Sequence, residues 1–428
     1  MSLKMKSGRN WGRLGMKYNN TPVGIIPETW EIKKISEITE IVTDYVANGS
    51  FASLAENVMY KDTEDIAVLI RLVDFNNNFN GDFVFIDEHA YEFLKKSKLY
   101  GGEIIISNVG ANVGTVFKCP KLKYKMSLAP NSIMVKFHGC NEFYYQWLRG
   151  YNGQQMLKSI VTGSAQPKFN KTNFKEMFVP VPPIEIQKQI ASILSVLDDK
   201  IEQNNQINEN LESQAQAIFI NLFITNAKPE WKTGTVSDLG DVVGGGTPSK
   251  KVEEYYTNDG IAWITPKDLS NDKSKFITHG ETDITDLGLA KSSATIMPRG
   301  SILFSSRAPI GYIAIADGQV STNQGFKSIV PFDNVGTAYV YYFLKENLSA
   351  IENVASGSTF KEVSGGTMKN FPAVIPDDDT LAKFKQFCSP LLEQQRALEY
   401  ENRYLASLRN ALLPKLMNGE IDVSKVKI

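Results

Sequence analysis

One stretch constrains this chain more than any other. Residues 184–223 follow directly on Pro182-Pro183 and contain no proline or glycine. Apolar side chains recur there at steps of four and three: Ile190, Leu194, Leu197 and Ile201, then Leu211, Ala215, Ile218 and Leu222. That spacing predicts a helix carrying a coiled-coil seam. The two middle seam positions are Asn204 and Asn208. A polar residue on a seam costs stability but fixes register and partner. At 1.5 Å per residue the helix is roughly 60 Å long, about twice the diameter of a small domain. By itself the pattern also suits a long helix buried in a single domain.

A second helical stretch argues against that. Its seam is Leu381, Phe384, Cys388, Leu391, Gln395, Leu398, Asn402, Leu405, Arg409 and Leu412. Asp377, Asp378 and Asp379 open it, where the helix dipole favours negative charge. Pro390, preceded by Ser389, predicts a kink or a fresh start with Ser389 as N-cap. Pro414 predicts an end or a bend. Both seams have polar middles, Asn204 and Asn208 in one, Gln395 and Asn402 in the other, which suits antiparallel pairing.

The segments ahead of the two helices repeat each other. Pro27-x-x-Trp30, with Ile35-Ser36-Glu37-Ile38 after it, returns as Pro229-Glu230-Trp231 and Val236-Ser237-Asp238-Leu239. Gly102-Glu103-Ile104-Ile105-Ile106-Ser107, followed by Gly114, matches Gly300-Ser301-Ile302-Leu303-Phe304-Ser305, followed by Gly311. Val161-Thr162-Gly163-Ser164 matches Ala355-Ser356-Gly357-Ser358, and Phe178–Pro182 matches Phe371–Pro376. The offset drifts around 200 residues, which means duplication with small insertions and deletions. Each copy holds short β-type runs, such as 66–70, 104–106 and 133–135 in the first and 261–264, 302–304 and 312–316 in the second. Helical pieces accompany them at 144–157 and 338–348. Gly/Asn/Asp turns such as Asn76-Asn77-Asn78 and Gly244-Gly245-Gly246 separate them. Each copy reads as an α+β domain.

The expected division is a leader at 1–16, a first domain at 17–183 and a first long helix at 184–224. A second domain at 225–376 and a second long helix with a tail at 377–428 complete it. Composition fits a multidomain soluble protein: 428 residues, 42% hydrophobic, 22% charged. No apolar run is long enough to cross a bilayer, and the basic start (Lys4, Lys6, Arg9, Arg13) lacks the apolar core of a secretory signal. Cys119, Cys140 and Cys388 are far apart, so neither a disulfide framework nor a zinc site is expected. The expected location is cytoplasmic. The net charge is −1, from 46 basic and 47 acidic side chains, so any nucleic-acid binding must rest on local basic patches or on partners.

The repeat resembles the specificity subunit of type I restriction–modification enzymes, over nearly the whole chain from about Lys17. The residues that carry the resemblance are Val-Gly-Ile-Ile-Pro-Glu-x-Trp at 23–30 and Pro-Val-Pro-Pro-Ile-Glu-x-Gln at 180–187. At the close stands Leu-Arg-Asn-Ala-Leu-Leu-Pro-Lys-Leu-Met-Asn-Gly-Glu-Ile-Asp-Val at 408–423. Gly-Gly-Thr-Pro-Ser-Lys at 245–250 and Ser-Thr-Asn-Gln-Gly-Phe at 321–326 fit the second domain. Residues 43–160 match more weakly. The resemblance implies an α+β chain with two similar α/β target-recognition domains, each reading half of an interrupted site in double-stranded DNA. It implies two long helices, packed as an antiparallel coiled coil, that separate the domains and dock two methyltransferase subunits. Restriction/translocase subunits are further candidate partners. No catalysis, metal or cofactor is implied.

The sequence agrees on catalysis. There is no Gly-Lys dipeptide for a Walker-type phosphate loop and no Gly-x-Ser-x-Gly elbow. The only Pro-Pro, at 182–183, is not the Asn/Asp-Pro-Pro-aromatic loop of amino-methyltransferases. His89, His138 and His279 show no metal spacing. Gly244-Gly245-Gly246-Thr247 lacks a phosphate-loop lysine and reads as a flexible turn.

DNA binding needs cations for phosphates and polar groups for base edges. In the first domain the candidates are Lys118, Lys121, Lys123 and Lys125, the last three placed by alternation on one strand face. Lys168 and Lys171 follow the 163–166 loop. In the second domain they are Lys250, Lys251, Lys267, Arg299, Lys327 and Lys361. Arg71, Arg307, Gln166, Asn323 and Gln324 are the base-edge candidates, since Arg and Asn/Gln pair bidentately with guanine and adenine. Any single lysine among these also suits a plain solvated surface. The acids on the helices (Glu185, Asp198, Asp199, Glu202, Glu209, Glu212, Glu393, Glu399, Glu401) are expected to face protein partners. Two other readings compete: a coiled-coil scaffold without DNA specificity, and an enzyme with an unrecognised site.

Overall fold

The computed structural model describes residues 17–357 and 361–423. The expected leader at 1–16, Ser358 of the repeated Gly-Ser pair, and residues 424–428 of the tail lie outside the described residues. The chain divides into two compact units, one drawn from residues 1–199 and 405–428, the other from 200–404.

In the first unit, four antiparallel strands form the main sheet in the order Thr39–Asp44, Ser132–Phe137, Ile104–Ser107, Val116–Lys118. The run Ile104-Ile105-Ile106 is apolar throughout because the strand is covered on both faces. Ile104 and Ile106 pack with Phe143 and Trp147, while Ile105 packs with Phe117 and Met134. A second sheet has the parallel pair Ala67–Ile70 and Lys125–Leu128 at its centre. Glu31–Lys34 pairs antiparallel with Phe178–Val181, the strand that leads into the first long helix. The helical piece expected at 144–157 is two helices, Asn141–Arg149 and Tyr151–Ser159, parted at Gly150.

The second unit repeats this plan. Its main sheet runs Gly240–Gly244, Lys327–Pro331, Ile302–Ser306, Ile310–Ala316, Phe276–Ile277. Ile302 faces Ile329 across the sheet as Ile104 faces Val135 in the first unit. Ile302 and Phe304 pack into one core and Leu303 into another. The parallel pair recurs as Trp263–Ile264 with Ser321–Thr322. The lead-in pair recurs as Lys232–Thr235 with Pro372–Ile375. Strand order and sense are therefore duplicated for the shared strands, while Phe276–Ile277, parallel to its neighbour, is an addition of the second unit, whose parallel pair lacks the two flanking strands. Gly245 and Gly246 are not a flexible turn. A Cβ on Gly245 would collide with the carbonyl of Asn323, and one on Gly246 with the backbone of Ser293 and Ala294. Glycine is required there for close approach.

The first long helix spans Ile184–Ile220 and passes into a π-helical turn at Asn221–Thr225. The second spans Asp378–Met417 without interruption. Asp377 caps it, its Oδ1 accepting from Thr380 N at 2.8 Å and Thr380 Oγ1 at 2.9 Å. Neither a fresh start at Ser389 nor an end at Pro414 occurs. Pro390 cannot donate to the carbonyl of residue 386, but Gln386 and Pro390 are both exposed, so water can satisfy that carbonyl. Buried Cys388 and Leu392 hold the helix on either side.

Of the expected seam, Ile190, Leu194, Asn204, Leu211, Ala215 and Gln395 are buried, while Leu197, Ile201, Asn208, Leu391, Leu398, Asn402, Leu405 and Leu412 are half-buried. Toward the end of the first helix the buried side chains are Phe219 and Phe223, not Ile218 and Leu222. A 3.6-residue turn drifts against a 3.5-residue pattern, and here the helix faces Tyr339, Tyr342 and Phe384 of its own unit. Antiparallel pairing of the two helices is seen inside the second unit. Asn204 meets Glu401 and Asn402, and four and eight residues further on Asn208 and Glu212 meet Gln395. Inside the first unit Asp198 accepts from Arg409 Nη1 at 2.5 Å.

Candidate nucleic-acid interface

Each unit opens a cleft at the same place in its repeat. In both, three loops converge: the one leaving the first sheet strand, the one leaving the central Ile-rich strand, and the one entering the strand between them. The first unit's cleft, about 610 Å³, is lined by Asp44, Tyr45, Phe51, Tyr60, Asn108, Val109, Pro130 and Asn131. The second unit's cleft, about 700 Å³, is lined by Thr247, Lys250, Trp263, Thr265, Lys267, Arg307, Asn323 and Gln324. Sheet register makes Val109 the counterpart of Arg307, and Pro130-Asn131 the counterpart of Gln324-Gly325. The places match, while one lining is aromatic and the other polar and basic.

The second cleft is framed by hydrogen bonds. The Trp263 indole donates to the Gly246 carbonyl at 2.9 Å. Asp268 is buried and accepts from Thr265 N at 2.7 Å, Thr265 Oγ1 at 2.6 Å and Glu281 N at 2.8 Å. Lys267 pairs with Glu281 at 2.6 Å, and that hydrogen bond pushes the Lys267 ammonium above its ordinary pKa. Glu362 lies 3.3 Å from Lys327 and 3.6 Å from Arg307. The Thr247 hydroxyl donates to Gln324 Oε1.

Sequence reasoning thus brought together five residues that line one cleft: Lys250, Lys267, Arg307, Asn323 and Gln324. Lys327 stands beside them through Glu362, and Lys251 and Lys361 are exposed. Arg299 is elsewhere, paired with Asp317 at 2.9 Å. In the first unit the expected set disperses. Lys121 and Lys123 lie in the loop before the strand that begins at Lys125, so the three do not share a strand face. Lys118 pairs with Glu142 at 2.5 Å, Lys123 with Glu64 at 3.4 Å and Lys125 with Glu88 at 2.9 Å. Arg71 is held by buried Asp74 at 2.6 Å and by the Asp82 carbonyl at 2.8 Å. Lys171 pairs with Asp44 at 2.8 Å. Gln166 and Lys168 are exposed on a loop closed by the Thr162–Lys168 bridge.

The aromatic lining of the first cleft was missed, although Phe51 is 78% exposed and Tyr60 55% exposed. The repeat offsets carried the needed signal, since they align the residues after Ser107 with those after Ser305. Four of the helix acids are engaged internally instead of being left for partners. Glu212 meets Lys275, Lys345 at 2.6 Å and the Tyr342 hydroxyl at 2.9 Å. Burial pushes the Glu212 carboxyl up, but Lys275 and Lys345 outweigh it and hold it at about 2. Glu399 accepts the backbone N–H groups of Lys275 and Phe276, Glu401 accepts from the Asn204 side-chain Nδ2, and Asp198 accepts from Gln146 Nε2 at 2.7 Å. These are buried or half-buried acids, and such charges persist only when paired. Among the described residues no group of three or more His, Cys, Asp or Glu could hold a metal ion, and no helix is long and apolar enough to cross a membrane.

Two copies of one α+β unit, each with a cleft at the same sheet end, define a duplicated binding module. The sequence model of the type I restriction modification DNA specificity domain matches residues 27–213 and again 228–400, and the chain belongs to that family. Among curated relatives, the type I restriction enzyme MjaIX specificity subunit of Methanocaldococcus jannaschii is 40% identical over 172 residues, 39% of this chain and 40% of the relative. The HindI specificity subunit of Haemophilus influenzae is 25% identical over 69% of this chain and 80% of its own length. The EcoR124I/EcoR124II specificity subunit of Escherichia coli is 25% identical over 81% and 80%. Among solved structures, the type I restriction-modification S subunit from M. genitalium covers 97% of this chain and 99% of its own, with a TM-score of 0.50 at 13% identity. That likeness concerns the fold alone.

Proposed function

We propose that this chain is the DNA-reading subunit of a type I restriction–modification complex. Each repeat reads one half of an interrupted duplex site. The two long helices set the spacing and dock two methyltransferase subunits. The chemistry belongs to those partners, and this chain supplies address and geometry. Family membership over both repeats supports the reading. The observation that carries it is the pair of clefts at register-equivalent places, one per repeat. Approximate two-fold repetition suits a duplex whose half-sites lie on one side. The cations assigned to phosphate are Lys118, Lys121, Lys123, Lys125, Lys168 and Lys171 in the first repeat and Lys250, Lys267, Lys327 and Lys361 in the second. Those unpaired in the free chain, Lys121, Lys168, Lys250 and Lys361, are the first to consider. A coiled-coil scaffold without DNA specificity offers no reason for twin clefts.

The test is co-purification with a methyltransferase followed by methylome sequencing. The expected product is methylation at one interrupted motif. Removal of seven residues within 204–217 should change the spacer of that motif and leave both half-sites unchanged. A changed half-site sequence contradicts the spacing role, and methylation without any motif contradicts the whole proposal.

A further inference from the structure

In the second cleft Arg307 and Asn323 offer free donors, while the Asn323 oxygen and the buried Asp268 carboxylate already hold donors of the protein. Asn323 Oδ1 accepts the Gly325 N–H at 2.8 Å. A backbone N–H can only donate, so this bond fixes which end of the amide is oxygen and leaves the two Nδ2 donors over. The Thr247 hydroxyl meets the neighbouring Gln324 amide. The Asp268 carboxylate is filled by three donors, and Glu281 is paired with Lys267. Arg307 lies 3.6 Å from Glu362, beyond hydrogen-bond reach, so its fork of donors is available.

A base edge that fits such a lining must present acceptors. In the major groove guanine shows two, N7 and O6, whereas adenine sets an N6–H donor beside its N7. Against adenine, one prong of the Arg307 fork would face the N6–H donor, and a buried unmatched pair is costly. We infer that the second repeat reads a guanine, with Arg307 as the two-pronged donor and Asn323 as the neighbouring amide donor. This rests on the DNA-reading proposal above. The first repeat has Val109 where the second has Arg307, so this arginine contact belongs to one half-site only.

The test uses the full chain with its co-purified methyltransferase and a random duplex library, sequenced after selection. The expected consensus is interrupted and carries a guanine in one half. Arg307→Lys keeps the charge but loses the fork. It should lower the preference for that guanine by about 5- to 150-fold, with the other half-site unchanged. Asn323→Asp keeps the shape and the bond from Gly325 but replaces a donor by an acceptor, and should shift the preference away from guanine. An interrupted consensus whose guanine preference survives both variants, or which has no guanine in the half that responds to them, overturns the inference. A wild-type complex that selects no interrupted consensus overturns the DNA-reading proposal together with it.

Discussion

Asn204 Nδ2 donates to Asn402 Oδ1 at 2.9 Å, joining the polar middles of the two long helices within the second unit. Glu401 accepts from the same amide at 2.8 Å, and Asn402 in turn donates to Asn205 at 2.8 Å. Asn204 is fully buried, and its own Oδ1 has no partner. Such an arrangement is worth more for register than for stability. The double variant Asn204→Leu/Asn402→Leu should therefore raise the melting temperature by about 2–4 °C for each kcal/mol gained. A lowered melting temperature in thermal denaturation would show that the amides are needed for stability itself.

The Glu212 hub predicts an acid-sensitive second unit. A carboxylate whose folded pKa lies at about 2 contributes stability above its unfolded value near 4.3. That contribution is lost as pH falls from about 4.3 through 2. Glu212→Gln should remove this dependence and cost about 3 kcal/mol at pH 7, because Lys275 and Lys345 lose their shared anion. Denaturant melts of both proteins between pH 2 and 7 give the difference. Equal pH slopes would contradict the assignment.

The glycines beside the second cleft predict a sharp contrast. Gly245→Ala pushes a methyl into the Asn323 carbonyl, while a Cβ on Gly244 meets nothing within 4 Å. Gly245→Ala should cost about 1–3 kcal/mol. Gly244→Ala should stay within about 0.5 kcal/mol. Chemical denaturation checks both, and similar losses at the two positions would refute the close-approach reading.

Cation pairing in the free chain predicts unequal salt effects. Lys250 is exposed in the cleft lining, while Lys125 is tied to Glu88 at 2.9 Å. Lys250→Ala should flatten the log–log salt dependence of DNA binding by about 0.9, and Lys125→Ala by less. Titrations of the assembled complex at several salt concentrations measure the slopes. The isolated chain should bind weakly, and tight specific binding by it alone at physiological salt would contradict the division of labour proposed here.

Much of this architecture was legible in the sequence because its carriers are periodic or repeated. The Ile190–Leu211 seam follows from spacing, the sheet strands from runs such as Ile104-Ile105-Ile106, and the duplication from four ordered matches. Pro390 left a kink or a fresh start open because proline removes a helical hydrogen bond, and no fresh start occurs because burial of Cys388 and Leu392 keeps the helix continuous. Lys121, Lys123 and Lys125 misled because alternation only implies a shared face where the residues are in a strand. The cleft of the second unit was half visible in Asn323-Gln324 and Arg307. Which of its donors are free depends on which groups are already engaged, and no one-dimensional pattern encodes that. The four internal acids look like any other charges on a helix until Lys275, Arg409 and their neighbours are brought to them from distant positions.

The Tyr18 hydroxyl donates to the Gly419 carbonyl at 3.0 Å, and Gly419 has no room for a side chain beside Pro27 and Trp30. Residues near the two ends of the described chain are thus neighbours within the first unit. Joined there and cut in the exposed stretch 226–230, the polypeptide becomes a circular permutant in which the second repeat is translated first. Every pairing described within each unit can form in that connectivity, so the permutant is expected to fold, which would make the order of the repeats in the gene incidental to the folded product.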